Sequence, residues 1–178
     1  MSYEYLIYTA NMDSGTLDGL MKDYGKDIWN YAYFLTGDRH AADDLSQEVF
    51  LRAYRSIGNF RGEATVKTWL LRITRNLALN HRRSAFIRRV TLLDRIQRQG
   101  SVRSAEEAFL DAEVADGIWR AVLRLPVPFR EVLLLDMQHG MSMEEIAGML
   151  HVSVGTVKSR LHRARAKVTK ALQEEEGQ

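Results

Sequence analysis

The chain has 178 residues, no cysteine and a net charge of +2 at pH 7, a length that allows one medium domain or two small ones. The absence of cysteine excludes a disulfide framework, a cysteine-ligated zinc finger and a thiol nucleophile. The N-terminus lacks the basic segment of a secretory signal and no apolar run approaches the roughly 20 residues needed to span a bilayer, so the sequence predicts a cytoplasmic protein without membrane insertion.

Apolar residues recur at helical spacing along almost the whole chain, which predicts an all-α fold. Only two prolines occur, Pro126 and Pro128. A first helix is predicted from Leu17 to Leu35. It should end at Gly37, which can adopt the left-handed conformation of a helix C-cap.

The second predicted helix covers residues 40–60 and has two distinct sides. Glu48 and Arg52, four residues apart, can form an ion pair on the polar side. Phe50 and Tyr54 lie beside the apolar side and are expected in the core. The apolar side itself consists of Ala42, Leu45, Val49 and Ala53.

A third helix is predicted over residues 65–84, after a loop with the sequence NFRGEA. Its expected core residues are Trp69, Leu70, Ile73 and Leu77. Its basic residues project elsewhere, namely Lys67, Arg72, Arg75 and Arg82.

Two small helical domains joined by a flexible linker are therefore predicted. Residues 1–85 form the first domain, and residues 86–104 form a linker with one short helix, because periodicity fades there and Gly100 follows. Residues 105–173 form the second domain, and residues 174–178 form a frayed tail.

The second domain contains a predicted helix-turn-helix. Ser142 and Glu145 have the spacing of a capping box that opens a helix over residues 143–150. A three-residue turn follows, and Ser153 is a plausible N-cap for a longer basic helix. In such units the second helix inserts its N-terminal residues into the major groove of DNA.

One side of this last helix is expected to pack on the domain, through Val157, Leu161, Ala164 and Val168. The residues left facing outward are small, hydroxylated or basic, and they can contact phosphates and base edges: Thr156, Lys158, Ser159, Arg160, His162 and Arg163. A membrane-surface helix would need a wide apolar face with bulky aromatic residues, which this segment lacks.

Basic charge is concentrated in two blocks that contain no acidic residue. Residues 64–93 carry seven Lys or Arg, and residues 146–173 carry six. Two such blocks in a nearly neutral chain favour a polyanionic partner.

The segment LPVPFREVLLLDMQHGMSMEEIAGMLHVSVGTVKSRLHRARAKV resembles the −35-reading domain of sigma-70-type factors, in particular the two-domain extracytoplasmic-function (ECF) group. Response regulators of the LuxR type share part of this pattern. The segment ADDLSQEVFLRAYRSIGNFRGEATVKTWLLRITRNLALNHRR decides between them, because it resembles the core-binding and −10-melting domain of the same ECF group.

The resemblance implies that the protein is a sigma factor, with RNA polymerase core as its partner through the β′ clamp helices and the β flap. It also implies an anti-sigma factor, which in this group is commonly membrane-tethered. The implied polar contacts with the clamp helices are Asp43, Asp44, Gln47, Glu48, Arg52 and Arg55.

The resemblance further implies that the loop over residues 59–64 captures a base flipped out of the single-stranded −10 element, while the next helix binds phosphates. Trp69 could act as a stacking platform, but at this spacing it is expected in the core. The implied −10 residues are Asn59, Arg61, Gly62, Glu63, Ala64, Lys67, Arg72, Arg75, Asn76 and Asn80. The implied contacts with duplex −35 DNA are Ser153, Thr156, Lys158, Ser159, Arg160, His162, Arg163 and Arg165.

Two other classes of function remain open on the residues alone. A conventional helix-turn-helix regulator would bind duplex DNA without polymerase, but it leaves the first domain unexplained. An enzyme is disfavoured, because the five histidines show no metal-ligand spacing and no nucleophile motif or phosphate-binding glycine loop occurs. No metal or other cofactor is expected.

Overall fold

A computed structural model of the protein describes residues 14–60, 62–96 and 117–176. All regular secondary structure in these ranges is helical, and none of these helices is long and apolar enough to cross a membrane. Internal contacts divide the chain into two compact units, Met1–Thr91 and Leu92–Gln178. The predicted all-α architecture of two helical domains is confirmed, while the domain boundaries given above stay predictions.

The first unit contains α1 (Ser14–Thr36), α2 (Arg39–Ser56) and all but the last five residues of α3 (Val66–Ile96), with a short 3-10 turn (Ile57–Asn59) after α2. Gly37 separates the first two helices with a φ of +74°, and its N–H donates to the Tyr33 carbonyl over 2.7 Å. The glycine C-cap is confirmed.

Asp38 follows the glycine and caps α2, because its carboxylate accepts the Ala41 N–H over 3.1 Å. A glycine C-cap and an aspartate N-cap on consecutive residues allow the chain to reverse within two positions. This turn brings α1 and α2 into extended contact.

The core of the first unit comes from one side of each helix. The predicted apolar side of α2 is buried, and Phe50 is buried beside it. Among the core residues predicted on α3, Leu70 and Leu77 are buried, whereas Trp69 and Ile73 are half-buried. The fully buried large side chains of this unit are Leu20, Ile28, Tyr31, Leu35, Val49, Leu70 and Leu71.

The third helix is longer than predicted. It runs to Ile96, so the first eleven residues of the predicted linker, 86–96, continue α3. The reason is local, because no glycine or proline occurs between Thr65 and Gln99 and nothing terminates the helix at Ser84. The rest of the predicted linker, and the first residues of the predicted second domain, lie outside the described residues.

The second unit contains α4 (Gly117–Leu123), α5 (Val127–Met137), α6 (Met143–Leu150) and α7 (Val154–Glu176). The last helix contacts the other three. Val157, Leu161 and Ala164 form its buried stripe as predicted, whereas the fourth predicted residue, Val168, is half-buried. Arg130 closes the turn between α4 and α5, because its Nη2 donates to the Leu123 carbonyl and, over 2.8 Å, to the Leu125 carbonyl.

The predicted fraying of the C-terminus from Glu174 is wrong, since α7 continues to Glu176. The Glu175 carboxylate lies 3.8 Å from the Nη2 of Arg120 on α4 and 3.1 Å from the Nη1 of Arg124, the residue that follows α4. A Cβ at Gly117 would lie 3.3 Å from the Glu175 Oε2. These contacts hold the last turns of α7 against α4.

Two glycines of the first unit provide a matched test of backbone conformation. A Cβ at either Gly25 or Gly37 would have no neighbour within 4 Å, but only Gly37 has a positive φ. We expect Gly25→Ala to raise the free energy of unfolding by about 0.5–1 kcal/mol, because α1 gains a better helix former. Gly37→Ala should lower it by about 1 kcal/mol through left-handed strain. Urea denaturation measures both, and equal signs would contradict this account.

Candidate nucleic-acid interface

The helix-turn-helix of the second unit begins at a capping box. The Ser142 Oγ accepts the Glu145 N–H over 3.2 Å, and the Glu145 carboxylate accepts the Ser142 N–H over 2.8 Å. This confirms the predicted capping box. It fixes the first residue of α6, whose apolar side, Ile146, Ala147 and Leu150, is buried.

The turn between α6 and α7 places the start of α7. His151 ends α6 in the left-handed region, with a φ of +55°. Ser153 then caps α7, because its Oγ accepts the Thr156 N–H over 3.1 Å and lies 2.9 Å from the Thr156 Oγ1. The predicted N-cap is therefore present, and it leaves Ser153 exposed at the helix start.

The exposed side of α7 lies opposite its buried stripe. At about 100° per residue, its midline passes through Ser159, His162, Arg163 and the small residues Gly155 and Ala166. All five are exposed. We call these five residues the α7 outer face. Thr156 and Arg160 lie at one margin of it, half-buried, and Lys158 lies exposed at the other.

The cations predicted to contact −35 DNA fall into two groups. Lys158, Arg160 and Arg163 have no ion-pair partner among the described residues, so their charge is available to an anion. Arg165 differs, because its Nη2 lies 2.7 Å from the Asp136 Oδ2 on α5.

The first unit presents a loop and a helix that the sequence assigns to the −10 element. Gly62 has a φ of +71° and is exposed with Glu63, while Ala64 is half-buried. Asn59 ends the 3-10 turn, and Arg61 lies outside the described residues. The Thr65 Oγ1 accepts the Thr68 N–H over 3.1 Å and thereby starts α3.

Trp69 lies beside this loop, half-buried rather than enclosed in the core. Its ring centroid is 5.0 Å from that of Phe60, with the planes tilted by 40°. The Phe60 ring in the loop therefore packs against the Trp69 ring on α3.

Only three of the residues predicted on α3 share one side of the helix. Arg72, Asn76 and Asn80 are exposed on the side opposite the core. Arg83, which is not among the predicted −10 residues, is exposed on the same side of the helix. We call these four residues the α3 outer face. Lys67 instead pairs with Asp27 on α1 over 2.7 Å, and Arg75 is half-buried and engaged within the chain.

The exposed side of α2 carries the polar residues that the sequence assigns to polymerase. Asp43, Asp44, Gln47, Arg52 and Arg55 are exposed and Glu48 is half-buried. The predicted ion pair is present, with 2.6 Å between the Glu48 Oε1 and the Arg52 Nε.

Asp43 also has a partner within the unit, because its carboxylate accepts the Trp29 indole N–H over 2.6 Å. The Trp29 ring stacks on Tyr33 at a centroid distance of 5.3 Å.

Two apolar side chains interrupt the polar side of α2. Leu51 and Tyr54 are 46% and 45% exposed, so the predicted core position of Tyr54 is wrong. On the helix Tyr54 lies between Asp43 and Gln47, about 130° from the middle of the buried side. The eight residues Asp43, Asp44, Gln47, Glu48, Leu51, Arg52, Tyr54 and Arg55 are called the α2 outer face below.

A helical wheel alone could have revealed both positions. Leu51 has no predicted role in the sequence, and the prediction for Tyr54 follows from its position beside the apolar side of α2. No group of His, Asp or Glu among the described residues has an arrangement that could hold a metal ion.

Comparison with family models matches both units. The model described as "Sigma-70 region 2" covers residues 20–86, and "Sigma-70, region 4" covers residues 115–168. The first match contains the α2 and α3 outer faces, and the second contains the helix-turn-helix.

Curated relatives match along most of the chain. The RNA polymerase sigma-H factor of Pseudomonas aeruginosa is 36% identical over 90% of this chain and 88% of its own. The ECF RNA polymerase sigma factor SigW of Bacillus subtilis is 31% identical over 91% of both chains.

Solved structures share the fold. The sigma factor RpoE of Bartonella quintana, solved with the anti-sigma factor NepR, has a TM-score of 0.70 at 24% identity, over 88% of this chain and 96% of its own. CnrH, solved with the cytosolic domain of CnrY, has a TM-score of 0.67 at 25% identity, over 95% of both chains.

The capping box of α6 yields a prediction with a defined pH dependence. The backbone N–H and the hydroxyl of Ser142 both donate to Glu145 and hold its pKa below the ordinary 4.5. A lowered pKa in the folded state stabilises the fold above pH 4.5, and this contribution is lost as the pH falls through the lowered value.

We expect Ser142→Ala to lower the stability of the second unit by about 1 kcal/mol at neutral pH. The loss should shrink as the carboxylate is protonated below pH 4.5. Thermal unfolding followed by circular dichroism measures this difference. A loss of the same size at pH 3 and pH 7 would contradict the proposed cap.

Proposed function

The chain belongs to the ECF group of sigma-70 factors, and we propose that it is a dissociable subunit that directs RNA polymerase to a particular set of promoters. It acts in transcription initiation through promoter recognition. One observation supports this role above the others: each unit carries an exposed side with cations that have no ion-pair partner among the described residues, and the first unit carries in addition the separate α2 outer face. The chain itself performs no chemistry, which belongs to the polymerase in the cytoplasm.

The α2 outer face is the proposed docking surface for the clamp helices of the polymerase β′ subunit. Exposed charged pairs contribute only about 0–1 kcal/mol to folding, so their presence on α2 has no strong structural reason. Leu51 and Tyr54 give this surface an apolar centre with a charged rim, the arrangement typical of protein–protein contacts. The β flap is the proposed partner of the second unit.

The α7 outer face is proposed to read the −35 element in the major groove. Ser153, Thr156 and Ser159 start the helix with small hydroxylated side chains that can approach the backbone closely. His162 lies close to the midline of the outer face, where base edges are within reach. Arg163, on the same face, and the flanking cations Lys158 and Arg160 are suited to phosphates.

The −10 element is proposed to bind the loop over residues 59–64 and the α3 outer face. A base extruded from the duplex would enter beside Gly62, where no side chain obstructs the backbone, and would meet polar groups of Asn59, Arg61 and Glu63. Arg72 and Arg83 would hold the phosphates of the opened strand, with Asn76 and Asn80 between them. Because this surface accepts a base only when it is unpaired, binding favours strand opening.

An anti-sigma factor is the proposed regulator. RpoE was solved with NepR, and CnrH with the cytosolic domain of CnrY. By analogy we expect an inhibitory partner for this chain, and a cytosolic domain in such a partner fits a membrane-tethered protein.

A conventional regulator that binds duplex DNA without polymerase is the alternative. It accounts for α7 but gives no role to the α2 outer face. Co-purification with core polymerase separates the two, and run-off transcription on a promoter library then tests specificity. A chain that neither binds core nor changes the promoters used would refute the proposed function.

Tyr54→Ala tests the docking surface. We expect about a tenfold loss of affinity for core polymerase, because truncation of a central aromatic contact removes more than about 1 kcal/mol. Met21→Ala is the matched control, since Met21 on α1 is equally exposed at 45% but lies outside the α2 outer face. Fluorescence anisotropy with labelled core polymerase measures both. Equal losses would show that α2 is not a specific docking surface.

Arg160→Ala and Asn80→Ala test the division of labour between the units. Arg160→Ala should weaken binding to −35 duplex about tenfold, as expected for a base or phosphate contact of 1–3 kcal/mol. Asn80→Ala should leave duplex binding unchanged and slow strand opening of the −10 element by holoenzyme, followed with a fluorescent base. Loss of both activities in both variants would contradict the assignment.

A further inference from the structure

Arg165 stands apart from the other cations of α7 because it already has an anionic partner. Its Nη2 lies 2.7 Å from the Asp136 Oδ2, near the C-terminal end of α5. The Asp136 side chain is only 20% exposed, whereas that of Arg165 is 58% exposed. The acid is thus the more buried member of the pair, and Arg165 is the one cation within ion-pair distance of it among the described residues.

The position of Arg165 on the helix agrees with this partnership. It follows Leu161 by four residues and precedes Val168 by three, and both of these belong to the side that packs on the domain. Arg165 lies about 100° around the helix from the centre of the α7 outer face, within about 20° of Lys158 at its margin, so the ion pair with Asp136 and not the angle separates these two cations. Arg165 also lies about 16 Å along the axis from Val154, whereas the N-terminal part of such a helix enters the groove.

We propose that Arg165 is a positioning residue, which holds α7 against α5 through Asp136 and contributes no phosphate contact. This proposal rests on the proposed −35 binding by α7 and makes it more specific. If Arg165 turned to a phosphate, the largely buried Asp136 carboxylate would lose its counter-charge, an unfavourable change in a partly desolvated site. The phosphate contacts then fall to the unpaired cations Lys158, Arg160 and Arg163.

A second ion pair of the same kind occurs in the first unit. Lys67, in the first turn of α3, lies 2.7 Å from Asp27 on α1, and both side chains are about 30% exposed. In each unit, therefore, a basic residue on the helix assigned to DNA pairs with an acid on the neighbouring helix. The basic residues of these two blocks are therefore of two kinds: some pair with an acidic residue of the protein, and others are proposed to bind phosphate.

Salt dependence separates a phosphate contact from a structural ion pair. Each phosphate neutralised by the protein contributes about −0.9 to the slope of log K against log salt. Arg163→Gln and Arg165→Gln remove the same charge from the same helix two residues apart, so they form a matched pair. The full chain is titrated with a short fluorescent duplex from about 50 to 200 mM KCl.

We expect Arg163→Gln to reduce the magnitude of the slope by about 0.9, the value for one lost phosphate contact. Arg165→Gln should leave the slope at its wild-type value and weaken binding about threefold to fivefold at every salt concentration, since an ion pair with one exposed member supports the helix only modestly. A reduction of the slope by Arg165→Gln equal to that of Arg163→Gln would overturn the proposal.

A charge-balanced variant excludes an effect of net charge. Arg165→Gln with Asp136→Asn removes one charge of each sign, so the net charge of the chain is unchanged. We expect this double variant to show the same uniform loss of affinity as Arg165→Gln, whereas Arg165→Lys, which keeps the ion pair, should bind like the wild type. Wild-type affinity in the double variant would overturn the positioning role.

Two further outcomes distinguish failure of the proposed function from failure of the positioning role of Arg165. A wild-type chain that binds duplex DNA but not core polymerase would refute the sigma-factor role and leave the comparison of slopes intact. A wild-type chain that binds no duplex at low salt would overturn both.

Discussion

The buried stripe of α7 is the constraint on which the second unit depends. Val157, Leu161 and Ala164 are in the core, and the same helix contacts all three of its neighbours. Because a helix turns by about 100° per residue, fixing these residues in the core also fixes which residues face outward. The packing behind them therefore sets the outward orientation of Ser159, His162 and Arg163, the residues proposed to meet DNA. Rotating α7 to present other residues would expose its stripe.

The same coupling limits where basic residues can contact DNA. A cation at the margin of a buried stripe lies close to the neighbouring helix, and an acid there can neutralise it, as Asp136 does for Arg165 and Asp27 for Lys67. A cation at the midline has no such neighbour. Charge counted along the sequence thus overstates the charge available to DNA. Arg83 shows the opposite case, an arginine whose position on the helix gives it a clearer outward orientation than Lys67 or Arg75.

Local signals in the sequence predicted much of this fold. Gly37, the pair Ser142 and Glu145, and the apolar side of α2 were all identified correctly, because each depends on short-range chemistry or on helical periodicity. The errors came from tertiary contacts. Glu175 could not be paired with α4 from the sequence, and nothing in the sequence marks Arg165 as the partner of Asp136. The prediction for Tyr54 is wrong because its angle on the helix carries it past the margin of the apolar side, where it is exposed.

Exposed residues can change without loss of the fold, and this freedom suits a family of related promoter-recognition proteins. The three outer faces contribute little to stability, since exposed polar residues and ion pairs are worth at most about 1 kcal/mol each. The fold depends instead on the buried stripe of α7 and on the capping residues Ser142 and Ser153. Specificity at Ser159, His162 and Arg163 can therefore vary while the helix keeps its position. A structural ion pair such as Arg165 with Asp136 lies between these extremes, because its residues are exposed enough to vary but must vary together.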